Sequence, residues 1–262
     1  MLYLRYLNAV MQTDLTAYRA GVMNLSLRID QADDLFVDYA PFDHIEPAAQ
    51  LAIVGLTPGR VQAANALEAM AKALHQGASP ELALASAKQV ASFSGPMRRN
   101  LVTLLDKIGL PAVYGRTHAT DFFADKKTSV HFTSILRYPV FLAGRNYSGT
   151  PAPLSHPLLR AMIDTYFGLE IDTLADATWV PLGRHAEIVL LQLAREGRLK
   201  RECILAGLPH PSGANAERIA YFLGRKPRHA LSDKTNPDLL DEARTRLLGQ
   251  VRDLTEARRG RK

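Results

Sequence analysis

Cys203-Ile204-Leu205-Ala206-Gly207-Leu208-Pro209-His210-Pro211-Ser212-Gly213-Ala214-Asn215 is the stretch on which the fold turns. Its first five residues form an apolar run suited to a buried strand. Residues 216–223 beyond it read as a helix with Asn215 as N-cap. A histidine between two prolines fits neither a ladder nor a helix, because proline restricts the residue before it and donates no N–H. The loop is therefore stiff. It presents one imidazole and one hydroxyl at the mouth of a strand–loop–helix unit, where α/β folds build their sites.

Outward from this stretch the same grammar recurs. Leu51-Ala52-Ile53-Val54 reads as a strand entering Gly55-Leu56-Thr57-Pro58-Gly59, and the helix after it carries Val61, Ala64, Leu67, Ala71 and Leu74 on one face. Thr128 to Ile135 is rich in β-branched residues and reads as a second strand. Ala177-Thr178-Trp179-Val180-Pro181-Leu182 is a third, weakened by Pro181, and Gly183 turns it into a helix ending at Gly197. Pro96 opens and Gly109 closes another helix, with Met97, Leu101, Leu104 and Ile108 as its apolar stripe. Arg137 to Pro153 reads as a long loop, and Ser155 as the cap of a helix stopped by Gly168.

Strand–helix units repeated in this way predict a three-layer α/β/α sandwich with a four-stranded parallel sheet. One domain is expected over 1–257. Within it, 1–48 form a helical N-terminal extension whose acidic stretch 30–46 is a solvated connector, 49–225 the core, and 236–257 a C-terminal helix. Residues 258–262 are a basic tail.

Composition narrows the function classes. A formal charge of +6 and a pI near 9.5 admit a nucleic-acid partner without requiring one. The single cysteine, Cys203, excludes an internal disulfide framework and any multi-cysteine zinc or iron–sulfur site. The histidines lack paired ligand spacing, so neither a metal nor another cofactor is expected. No signal-peptide layout and no apolar run of spanning length are present, which leads us to expect a soluble, cytoplasmic monomer with no membrane partner.

In a parallel sheet the strand exits open on one edge. Here they are Thr57-Pro58-Gly59, Ser134 to Arg137, Gly183-Arg184-His185 and His210-Pro211-Ser212, with Phe93-Ser94-Gly95 as a further loop. An aromatic face, backbone amides and a neutral imidazole suit a flat polar ligand such as a nucleobase.

These residues resemble the uracil-DNA glycosylase superfamily over roughly residues 50–225. Gly55-Leu56-Thr57-Pro58-Gly59 is similar to its first motif, a strand followed by G-x-x-P-G, and His210-Pro211-Ser212 to its second. Phe93-Ser94-Gly95 with the helix after it looks like the stretch that stacks on the uracil. Phe132 to Arg137 resembles the strand end that usually carries a base-reading asparagine, and Val180-Pro181-Leu182-Gly183 the third-strand exit. The layout is nearest the four-cysteine branch, whose cysteines this chain lacks.

The resemblance implies a DNA glycosylase that hydrolyses the N-glycosidic bond of uracil or another deaminated base, as in base excision repair of damaged single- or double-stranded DNA. His210 would hold the departing base, and Thr57 occupies the place of the residue that positions water. Gly55, Leu56, Pro58, Gly59, Phe93 and Ser134 would contact the base. Ser212, Gly213, Asn215 and Arg98 would contact DNA phosphates.

Departures from the family pattern open an alternative. Thr57 replaces an aspartate or asparagine, Leu56 and Pro96 stand where other branches place an acid, and Ser134 replaces the asparagine. A carboxylate could instead come from Glu187 or the acidic connector. Without one, the same fold would be a catalytically weak or inactive protein that binds a nucleobase or nucleic acid.

Overall fold

A computed structural model describes residues 2–93, 95–124 and 130–259. The chain divides into two compact units. The first comprises Met1–Pro47, Val54–Ser94 and His131–Ala175; the second comprises Ala48–Ile53, Gly95–Val130 and Asp176–Lys262.

The strands among the described residues are β1 (Arg28–Ala32), β2 (Leu35–Asp38), β3 (Leu51–Gly55), β4 (Val130–Ser134), β5 (Val140–Leu142), β6 (Arg145–Asn146) and β7 (Thr178–Pro181). They form a parallel sheet in the order β4-β3-β7 and an antiparallel sheet in the order β1-β2-β5-β6. Every residue of central β3 is buried, as expected for a strand covered on both faces.

Of the four parallel strands expected, three form a ladder among the described residues. Ile204, Leu205, Ala206 and Leu208 are buried as an apolar strand would be. They meet β7 and the residue after it through isolated parallel bridges, Trp179 to Ile204 and Leu182 to Leu208. The physical reason lies in β7. The Leu205 N–H donates to the Trp179 carbonyl at 2.8 Å, so the next rung falls on Pro181, which has no N–H to give. Gly207, at φ +120°, takes up the one-residue slip between the bridges.

The N-terminal extension also differs from its expected helical form. Helices span Leu2–Gln12 and Leu15–Ala20, but β1 and β2 follow as a hairpin turned at Asp33-Asp34. Asp38, on β2, is buried against Arg28 at 2.6 Å. The long loop expected after Arg137 contains β5 and β6, joined through Ala143 and Gly144, which both have positive φ as a type I′ turn requires. The helix expected to stop at Gly168 continues to Thr173, after a π-helical stretch at Ile163–Phe167. No described helix is long and apolar enough to cross a membrane.

The first unit is organised around a buried carboxylate. Glu170 is fully buried and accepts from Arg137 Nε at 2.6 Å and from His131 Nε2 at 3.0 Å. The His131 tautomer follows from its other nitrogen: Nδ1 accepts the Glu46 N–H at 3.3 Å, so Nε2 carries the proton. Lys88 Nζ lies 3.4 Å from that same Nε2, but both groups are donors, so its real partner there is the His44 carbonyl. Burial pushes the Glu170 carboxyl up, yet Arg137, Lys88 and His131 together hold it well below the usual carboxylate range. Burial, then the Lys88 charge, lowers His131 to about 4.

The sign of the pH dependence follows. Between His131's ordinary 6.5 and its folded value of about 4, the unfolded chain binds the extra proton, so stability falls as pH falls through that window. Urea unfolding should lose on the order of 3 kcal/mol across it, and His131→Gln should flatten the profile. Glu170→Gln leaves Arg137 and Lys88 without their buried counter-charge and should cost about 3–5 kcal/mol at neutral pH.

Candidate functional site

In the second unit the His210 loop is held from several sides. Asn100, on the helix Pro96–Lys107, donates from Nδ2 to the Pro211 carbonyl at 2.9 Å. Asn215 Nδ2 donates to Ser212 Oγ at 3.0 Å, and Arg218 fastens Asn215 in turn, from Nη1 to its Oδ1 at 2.8 Å. Asn215 therefore does not cap the helix Ala216–Phe222 through its side chain, as the sequence suggested; it locks Ser212 instead. Because Ser212 Oγ accepts that bond, its own hydrogen is the one it can offer outward.

The geometry defines the chemical state of His210. The Ser212 N–H donates to His210 Nδ1 at 3.3 Å, which places the ring proton on Nε2. Burial, then the neighbouring His185, lowers the His210 pKa. His210 is thus a neutral, oriented N–H donor. Gly183, at the exit of β7, makes room for it: a Cβ at Gly183 would sit 2.8 Å from the His210 Cβ, and its φ of +80° already favours glycine.

In the first unit the exit of β3 runs beside that of β4. The Ile135 and Leu136 amides donate to the Gly55 and Leu56 carbonyls, each at 3.0 Å. Gly55 lets two side chains approach the backbone: its Cβ would lie 3.3 Å from Ser134 Oγ and 3.5 Å from the Phe93 ring. Phe93 is buried, its ring edge-on to Phe132 with centroids 5.8 Å apart. Its backbone is at φ +47°, a conformation that costs a non-glycine residue roughly 1–3 kcal/mol. Such strain at an aromatic beside a strand exit marks it as a functional candidate.

The remaining residues of the turn are already engaged. Thr57 Oγ1 donates to the Tyr138 carbonyl at 3.0 Å and accepts from the Val140 N–H at 3.1 Å. The hydroxyl expected to hold water thus ties the turn to the start of β5. Pro58 is buried, and Leu56 is half-buried. The Gly59 N–H donates to Gln62 Oε1 at 3.1 Å and the Arg60 N–H to Asn146 Oδ1 at 2.9 Å. The two amides that open the helix Arg60–His75 are therefore already partnered, one by its own Gln62 and one by β6. A Cβ at Gly59 would stand 3.4 Å from Asn146 Nδ2, so β6 limits any larger residue there.

Each unit also holds a carboxylate whose pKa burial raises. Asp43, from the acidic connector, accepts from Tyr138 at 2.9 Å and Tyr39 at 3.0 Å, and burial outweighs both bonds to raise its pKa. Tyr138 is the residue whose carbonyl takes the Thr57 hydroxyl, so Asp43 sits one side chain from that turn. In the second unit Glu187, on the helix Arg184–Arg195 that starts after Gly183, is also raised by burial. Sequence reasoning left both open and could not place them. Arg98 lies on the Asn100 helix, with its guanidinium 4.7 Å over the Phe123 ring. Gly213 is exposed. No cluster of described His, Cys, Asp and Glu side chains could hold a metal ion.

The chain is 38% identical over 211 residues to the uncharacterized protein YoxB of Bacillus subtilis, an alignment covering 79% of this chain and 82% of that protein. No family model matches the chain, and no solved structure does.

The close approach at Gly183 gives a test of how the loop is built. Gly183→Ala should destabilise by about 1–3 kcal/mol through backbone strain and shift the His210 imidazole resonances in an NMR spectrum. Gly213→Ala, which meets nothing within 4 Å and has no left-handed φ, should leave both unchanged.

Proposed function

The chain belongs to the family of the Bacillus subtilis protein YoxB, and we propose that it is a DNA glycosylase-like enzyme that removes uracil or another deaminated base from DNA. The observation that carries the reading is His210. When an N-glycosidic bond breaks, negative charge develops on the departing base, and a preorganised neutral donor aimed at its carbonyl oxygen stabilises that charge. His210 has the required proton on Nε2, set by the Ser212 amide. The resemblance to the uracil-DNA glycosylase superfamily supplies the substrate class. It assigns Phe93, Gly55 and Ser134 to base recognition, and Ser212 and Arg98 to phosphate. The protein is read as a cytoplasmic monomer acting on DNA without a cofactor, within base excision repair.

One observation favours a second reading. The Thr57 hydroxyl is spent on the backbone, which leaves the Gly55–Gly59 turn without a side chain to activate water. Unless Asp43 or Glu187 serves, the protein would recognise a base and turn it over poorly.

The test is incubation with uracil-, hypoxanthine- and xanthine-containing single and double strands, followed by strand scission at abasic sites. Excision is expected, falling by ~100-fold or more in His210→Ala. Asp43→Asn and Glu187→Gln then identify the base: the one that supplies it should lose a comparable factor. Absence of abasic product from every substrate at stoichiometric enzyme, with salt-sensitive DNA binding retained, would establish the binding-protein reading instead.

A further inference from the structure

The second unit contains a cleft of about 390 Å³ beside the helix Pro96–Lys107. Arg98, Arg99, Val102 and Thr103 line one wall, and Thr120 and Phe123 the other. The volume is at the lower end of small-molecule pockets, ~300–1,000 Å³; it has room for one nucleotide and not for a folded element. Val102, Phe123 and the aliphatic arm of Arg98 supply the apolar surface, with the Arg98 guanidinium over the ring at 4.7 Å. Arg99 is exposed at the rim.

Charge complementarity selects the occupant. Among the described residues, the lining carries two arginines and no carboxylate. Two described acids on the same segments are turned to backbone amides: Asp106 accepts from Ala119 at 2.7 Å and Asp121 from His118 at 3.3 Å. An aromatic platform beside fixed cations is the arrangement by which proteins hold single-stranded nucleic acid, the base on the ring and the phosphate on the arginines. The helix that forms this wall also carries Asn100, which holds the Pro211 carbonyl of the His210 loop. On a helix with 100° per residue, Asn100 adjoins the cleft face bearing Arg99 and Thr103. The cleft and the His210 loop are therefore served by one rigid element.

We propose that this cleft seats one nucleotide of a single-stranded DNA, its base against Phe123 and its phosphate between Arg98 and Arg99, flanking the nucleotide presented to His210. This deepens the glycosylase reading and rests on it for the strand being DNA.

Fluorescence anisotropy with a labelled oligo-thymidine of about a dozen nucleotides, a length within single-strand site sizes, tests it across a salt series. Arg99→Gln, at an exposed position, should reduce the salt slope by about 0.7, the value for one phosphate on a single strand. Phe123→Leu keeps apolar bulk but loses the stacking face, and should weaken binding by about tenfold. Unchanged affinity and slope in both variants would overturn the cleft. So would thymidine monophosphate displacing the strand at equal concentration, since the site would then hold a free nucleotide. The two ideas fail separately. Excision by the unmodified protein with both variants binding normally retains the enzyme and rejects the cleft; altered binding in the variants without excision from any substrate does the reverse.

Discussion

One fully buried carboxylate sets the frame of the first unit. Burying Glu170 alone would be prohibitive, and it stays ionised because His131, Arg137 and Lys88 are drawn to it from β4, the β4 exit and the helix Pro80–Ala91. The consequence reaches the candidate site through one peptide bond. Arg137 precedes Tyr138, whose carbonyl takes the Thr57 hydroxyl and whose phenol holds Asp43. The turn Gly55–Gly59 is thereby tied to a charge network as well as to apolar packing, and its geometry is rigid for that reason.

What was legible in the chain follows the same division between apolar pattern and charge. β3, β7, the helix Arg60–His75 and the helix Pro96–Lys107 announce themselves through uniform apolar runs or helical spacing bounded by glycine and proline. The fourth apolar run was read correctly as buried; its missing ladder depends on a proline in the neighbouring strand and a one-residue slip, which are properties of a pair. The antiparallel sheet was missed because its acids look solvated in isolation. Asp33 and Asp34 are indeed in an exposed turn. Asp38 and Asp43 are held by Arg28, Tyr39 and Tyr138, and only the last of these lies far away in sequence. A signal was present all the same: Leu35-Phe36-Val37 is a short apolar run between Asp34 and Asp38.

The candidate residues differ in how far they are prepared for chemistry. His210 has a defined tautomer, a neutral ring, a glycine opposite it and a loop fastened by Asn100 and Asn215. Phe93 is held in a strained backbone conformation beside a glycine that admits its ring. Thr57, by contrast, has been absorbed into structure, and so have the amides of Gly59 and Arg60. A loop can supply a fixed donor for a leaving group through its own backbone, since an amide suffices to set an imidazole tautomer. Activating water needs a base that is not already committed, and the turn retains none.

That asymmetry bears on which step such a protein performs well. A protonated imidazole would bind an anionic base strongly, but burial and the adjacent His185 both oppose the charge on His210. A neutral N–H donor gains strength as charge grows on the acceptor, so it favours the stretched bond over the intact one. In the proposed reaction His210 would therefore stabilise departure of the base as an anion, with no proton transferred from the ring. Where departure runs ahead of attack in this way, the demand on the water-activating group is lowest. Tyr138 and Tyr39 hold Asp43 in place while burial raises its pKa. Both Asp43 oxygens accept a phenol hydrogen bond, so it is a held carboxylate and not an uncommitted base.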